Sequence, residues 1–91
     1  MEIEYADEFV KRFTRLPVTI KKRAIKQEKL FRENPLYPSL HTEKLKPKKR
    51  EVWSFRVDRQ YRIIFRYTTD NTVIFLTVGE HDWIYKYIDR L

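Results

Sequence analysis

The stretch at residues 51–67, EVWSFRVDRQYRIIFRY, constrains the fold more than any other part of the chain. Apolar and polar residues alternate on both sides of a short polar break, and a period of two marks a half-buried β-strand. In the first arm Trp53, Phe55 and Val57 fall on one face, with Val52, Ser54 and Arg56 on the other. In the second arm Tyr61, Ile63, Phe65 and Tyr67 oppose Arg62, Ile64 and Arg66. Facing residues of an antiparallel pair share a face, so the two aromatic sets must meet. The odd break Asp58-Arg59-Gln60 achieves this, setting Phe55 against Ile63 and Trp53 against Phe65. A two-residue turn would put core residues opposite arginines. The same register sets Arg56 directly opposite Arg62, with Arg66 near Val52.

Like charges facing each other across a strand pair cost from a few tenths to about 1 kcal/mol. Two features would offset that: a neighbouring carboxylate such as Glu51 or Glu43, or an anion that takes two guanidinium forks.

The remaining elements follow from spacing. Residues 2–5, EIEY, read as a short strand with Ile3 and Tyr5 on one side. Asp7 is placed to cap a helix carrying Phe9, Val10, Phe13 and Leu16, and Pro17 stops that helix and starts the next. Over 18–33, Ile20, Ala24 and Phe31 form an apolar stripe with lysines opposite, ended by Asn34-Pro35. The two helices make a hairpin lying on a sheet. Residues 34–50 hold three of the four prolines and five basic residues, and read as a long loop of the kind that carries function. After a turn at Asp70-Asn71, TVIFLTV (72–78) supplies a third consecutive strand. Gly79 is the only glycine, which predicts a turn that other residues would resist. Asp82 is placed to cap a last helix over 83–91. The expectation is one α+β domain over 1–91, ordered β-α-α-β-β-β-α. Its helix hairpin packs on a small mixed, mostly antiparallel four-stranded sheet, and a short helix ends the chain.

Composition narrows the function. A 91-residue chain buries roughly 60–65 % of its unfolded surface, which leaves little room for a deep cavity. There are no cysteines and two histidines, so neither a disulfide framework nor a structural zinc site is expected. No glycine-rich phosphate loop and no Ser/His/Asp order is present, and no cofactor is expected. The amino terminus is acidic where a signal peptide would be basic and then apolar, and the apolar runs are too short to span a bilayer. A cytoplasmic protein is therefore expected. Twenty Lys and Arg against thirteen Asp and Glu give a net charge of +7. A field of that sign attracts polyanions, nucleic acid first and an acidic protein second.

The chemistry gathers at the end of the third strand. His81 stands beside the basic sheet face of Arg56, Arg62 and Arg66, whereas His41 in the loop reads as a packing or capping residue. Arginines plus a proton shuttle suit a phosphodiester. RNA carries its own nucleophile, the 2′-hydroxyl, so cleavage requires a base, an acid and cations on the phosphorane, and no metal.

These residues and their order resemble the RelE/ParE superfamily of bacterial toxins from type II toxin–antitoxin operons. The resemblance covers nearly the whole chain, including FVKRFTRLP at 9–17. Its most specific stretch is 51–67, which looks like the YoeB-type branch. The resemblance implies a ribosome-dependent endonuclease that cuts messenger RNA and is inhibited by a cognate antitoxin. By position, Glu43 falls where such toxins place a general base, with Glu51 as a rival. Arg56 and Arg62 fall at phosphate-contacting arginines and His81 at the general acid. Tyr85 resembles an assisting aromatic, with Tyr87 as the alternative. Lys44, Lys46, Lys48, Lys49 and Arg50, together with Arg66, would hold RNA of the ribosome. Two other readings stay open: a ParE-like inhibitor of DNA gyrase, and a basic RNA-binding module without catalysis.

Overall fold

The hairpin of residues 51–67 forms in the register that its alternation requires. In the computed structural model, which describes residues 1–46 and 50–90, Trp53 pairs with Phe65, Phe55 with Ile63 and Arg56 with Arg62. Asp58 closes the turn between them. Its Oδ1 accepts the backbone N–H of Gln60 and of Tyr61, both at 2.8 Å, the usual way an Asp side chain mimics a turn.

The elements run β1 (Glu2–Tyr5), α1 (Asp7–Thr14), α2 (Val18–Glu33), a 3-10 turn (Pro38–Leu40), β2 (Glu43–Lys44), β3 (Trp53–Arg56), β4 (Tyr61–Thr69), β5 (Thr72–Glu80) and α3 (His81–Asp89). The sheet has five strands in the order β1-β5-β4-β3-β2, with β1 parallel to β5 and the other pairs antiparallel. The fold is α+β as expected, but the count of four strands was one short. Glu43 and Lys44, inside the expected loop, pair with Ser54 and Trp53. A two-residue strand between prolines has no period by which to announce itself.

Both faces of the sheet are covered. On one face, Phe9 of α1 and Ile20, Ala24 and Phe31 of α2 bury themselves against Phe55, Ile63, Phe65, Val73, Phe75 and Val78. Phe31 is fully buried, its ring 4.7 Å from that of Phe55, 4.8 Å from Phe65 and 5.6 Å from Phe75. The other face carries a smaller core, where Ile84 and Ile88 of α3 close over Leu45, Val52 and Ile64. A bulge makes the two cores compatible. Ile64 pairs with Thr77 but Phe65 with Phe75, so Leu76 is the extra residue and packs into the second core. Val78 thereby returns to the face of Val73 and Phe75.

Three local expectations are corrected. Asp7 does not cap α1: Ala6 holds the cap position without a side-chain bond, and Asp7 and Glu8 lie in the first turn, where the helix dipole favours acids. Likewise α3 starts at His81, so Asp82 sits within its first turn and makes no cap bond. Gly79 lies inside β5 with no positive φ. A Cβ there would stand 2.5 Å from the Trp83 ring. The glycine is present for room, not for a turn.

Candidate functional site

Strand pairing assembles the site. Glu43 lies beside Ser54 on β3, and Arg56 of β3 lies opposite Arg62 of β4. The Glu43 carboxylate approaches Arg62, with Oε1 3.6 Å from Nη1. This is the carboxylate that the facing arginines called for. The other candidate, Glu51, is exposed at a left-handed backbone (φ 53°) and has no ion pair among the described residues. One carboxylate does not satisfy two guanidinium groups. Arg56 Nε and Arg62 Nη1 are both buried and find no hydrogen-bond partner, an expensive condition for charged donors unless an anion completes them.

His81 arrives from the other side. The end of β5 pairs with the start of β4, Glu80 against Tyr61, which carries the first residue of α3 up to the hairpin turn. The His81 N–H donates to the Gln60 carbonyl at 2.7 Å. Its imidazole is half-exposed, with Nδ1 3.6 Å from Asp82 Oδ1. One turn later the Tyr85 ring meets it edge-on, centroids 5.1 Å apart. Arg56, Arg62 and His81 line one open cleft of about 400 Å³, together with Arg59, Gln60, Glu80 and Asp82. Spacing alone did not single out Arg59 and Gln60. Their signal was the meander itself, because an antiparallel β4–β5 pair must bring the β3–β4 turn alongside the end of β5.

The two tyrosines part company. Tyr85 is exposed beside His81, whereas Tyr87 is half-buried in the second core with its ring 5.5 Å from Trp83. Burial, reinforced by Glu8 and opposed by Arg66, raises the Tyr87 phenol above its ordinary pKa.

The basic residues divide as well. Lys44 places its ammonium over the Trp53 ring at 5.8 Å, and Lys46 is exposed. Arg50 donates from Nη1 to the Ile88 carbonyl in the last turn of α3, and Arg66 donates to the Arg50 carbonyl at 3.2 Å. Both arginines therefore spend donors on tying this segment to the second face of the sheet. Lys48 and Lys49 lie outside the described residues. Among the described residues, no three His, Cys, Asp or Glu side chains are grouped to hold a metal ion, and no helix is long and apolar enough to cross a membrane.

A search of curated proteins returned no match. Solved structures share the fold across most of the chain. A chain of the RelB–RelE antitoxin–toxin complex from Methanococcus jannaschii is 28 % identical with a TM-score of 0.72, covering 92 % of this chain and 96 % of that one. YafQ from E. coli is 19 % identical with a TM-score of 0.75, covering 92 % and 97 %. The YoeB/ParE toxin from Agrobacterium tumefaciens is 14 % identical with a TM-score of 0.73, covering 89 % and 99 %. The sequence profile described as HigB-like toxin, a RelE-like toxin of the type II toxin–antitoxin system HigB, matches residues 24–81. With that match over more than half of its length, the chain belongs to the HigB-like family of RelE-like toxins of type II toxin–antitoxin systems.

Proposed function

We propose that this toxin is an endoribonuclease that cuts messenger RNA in the ribosomal A site. The observation that carries the reading is the pair of buried donors without a hydrogen bond, Arg56 Nε and Arg62 Nη1, the second only ion-paired with Glu43 at 3.6 Å, in a cleft that also holds His81. A scissile phosphate seated there completes both guanidinium groups. Glu43, beside Arg62, removes the proton from the 2′-hydroxyl. The 2′-oxygen attacks phosphorus, the arginines neutralise the phosphorane, and His81 gives a proton to the departing 5′-oxygen. The products are a 2′,3′-cyclic phosphate and a 5′-hydroxyl, so the reaction needs no metal ion. Tyr85, edge-on to His81, is placed to stack on a base next to the cut. Lys44 and Lys46, with Lys48, Lys49, Arg50 and Arg66, supply the charge that holds ribosomal RNA.

The reaction places the protein in the cytoplasm, where its target is. The partner that silences it is a cognate antitoxin. The Methanococcus jannaschii relative was solved as an antitoxin–toxin complex, and a net charge of +7 suits an acidic, partly disordered segment folding over the cleft.

Primer extension on a messenger RNA in a ribosome-programmed translation reaction tests the proposal, with the unsubstituted chain and His81→Ala side by side. Cuts inside the A-site codon are expected from the former, slowed by roughly 10² to 10⁴ in the latter. Full-rate cutting by His81→Ala removes the assigned acid. Intact RNA in both reactions, with replication blocked in cells, moves the target to DNA gyrase.

A further inference from the structure

We infer that the groove between α2 and the β3–β4 turn holds the backbone of the same RNA strand beyond the cleft, an inference that rests on the nuclease reading. The groove has a volume of about 680 Å³ and adjoins the cleft, since Arg56, Arg59 and Gln60 line both. A strand that leaves the cleft past Arg56 and Arg59 stays beside two side chains that also line the groove.

Its charge is one-sided. Arg23 and Lys26 of α2 form one wall, His41 stands beyond the 3-10 turn, and Arg56 and Arg59 form the other wall. The one carboxylate in the groove, Asp58, is already occupied. Its Oδ1 accepts two backbone N–H groups of the turn, and its Oδ2 takes Arg23 at 3.1 Å. Lys26, Arg56 and Arg59 have no ion-pair partner among the described residues. The floor is fixed before any ligand arrives. The Gln27 amide donates to the Arg56 carbonyl at 2.8 Å and to the Ser39 carbonyl at 3.3 Å, joining α2 to β3 and the 3-10 turn. A rigid groove with spare cations loses little entropy on binding a charged strand. No Trp, Tyr or Phe lines it among the described residues. It therefore reads phosphates and not bases, and sequence preference, where it exists, comes from the cleft.

The test is anisotropy with a 2′-O-methyl RNA of roughly nine nucleotides, within the range that single-strand grooves hold and proof against cleavage. Lys26→Gln is compared with Lys29→Gln, an equal loss of charge on the same helix at an exposed lysine outside the groove. A lost single-strand phosphate contact lowers the salt slope by about 0.7, which at 0.1 M salt is an affinity loss of about 5-fold. Lys26→Gln is expected to show both changes and Lys29→Gln neither. Equal behaviour of the two variants overturns the groove, as does failure of the unsubstituted chain to bind, or an effect of Lys26→Gln seen only on ribosomes. The two proposals fail separately. Cutting on ribosomes with no difference between the variants removes the groove alone. The expected difference without cutting removes the nuclease and leaves an RNA-binding groove.

Discussion

Gly79 shows how one residue answers to a neighbour that the local sequence does not reveal. Trp83, four positions later, folds its ring onto the Gly79 backbone, and the Arg12 guanidinium lies over the same ring, 3.5 Å from its centroid. Arg12 also donates from Nε to the Val78 carbonyl at 3.3 Å. The contact thus joins α1, β5 and α3 at one point. An alanine at Gly79 pushes its Cβ into the ring, and overpacking of this kind costs about 1 to 3 kcal/mol. Urea denaturation of Gly79→Ala is expected to show a loss of that size. In a Trp83→Leu background the same substitution should cost much less, and additive losses would deny the contact. Arg56 and Arg62 illustrate the opposite case, since their facing charges weaken the sheet and, under the proposed mechanism, a bound phosphate offsets that.

At the scale of elements, α3 is the informative case. Its inward side, Ile84 and Ile88, is short for a helix that must cover a sheet face, so its ends are tied. The first residue is held through the His81 N–H on Gln60, and the last turn through Arg50 on the Ile88 carbonyl. A cation at a helix carboxy terminus is worth about 0.3 to 1 kcal/mol exposed and up to about 2 when partly buried. Arg50→Ala should loosen the helix within that range, read as faster amide exchange at residues 84–88. Unchanged protection there would show that the two isoleucines suffice. Such end ties are not legible in sequence, because they join residues far apart without a period. The β3–β4 register was legible: alternation and an odd turn leave one solution. That register in turn made the Arg56–Arg62 pair readable, and the meander brought His81 to them. Strand β2 and the turn residues Arg59 and Gln60 escaped, the first for brevity and the others because turn tips carry no pattern.

For the whole molecule, alkaline pH probes how well the tyrosines are packed. Burial raises the phenol pKa of Tyr5, Tyr61, Tyr67 and Tyr87 above the ordinary 10.0, with Glu28 adding at Tyr5 and Glu80 and Asp58 at Tyr61. The sign follows from linkage. The unfolded chain ionises first, so the stabilisation is complete below about pH 10 and is lost as pH rises past it. Stability by urea denaturation is expected to fall between about pH 9 and 11, less steeply in Tyr87→Phe. Equal slopes would mean that its phenol is as free as in the unfolded chain. The parallel pairing of β1 with β5 has a consequence for how the molecule is made. Ile3 must wait for Val73, a delay of roughly 4 to 14 seconds at about 5 to 20 residues per second of synthesis. Strand β1, which precedes the other four in the chain, is therefore among the last to find its neighbour. Arg56, Arg62 and His81 also follow in the second half of the sequence, so a nascent chain that stops short of α3 carries an uncovered sheet face and no complete cleft.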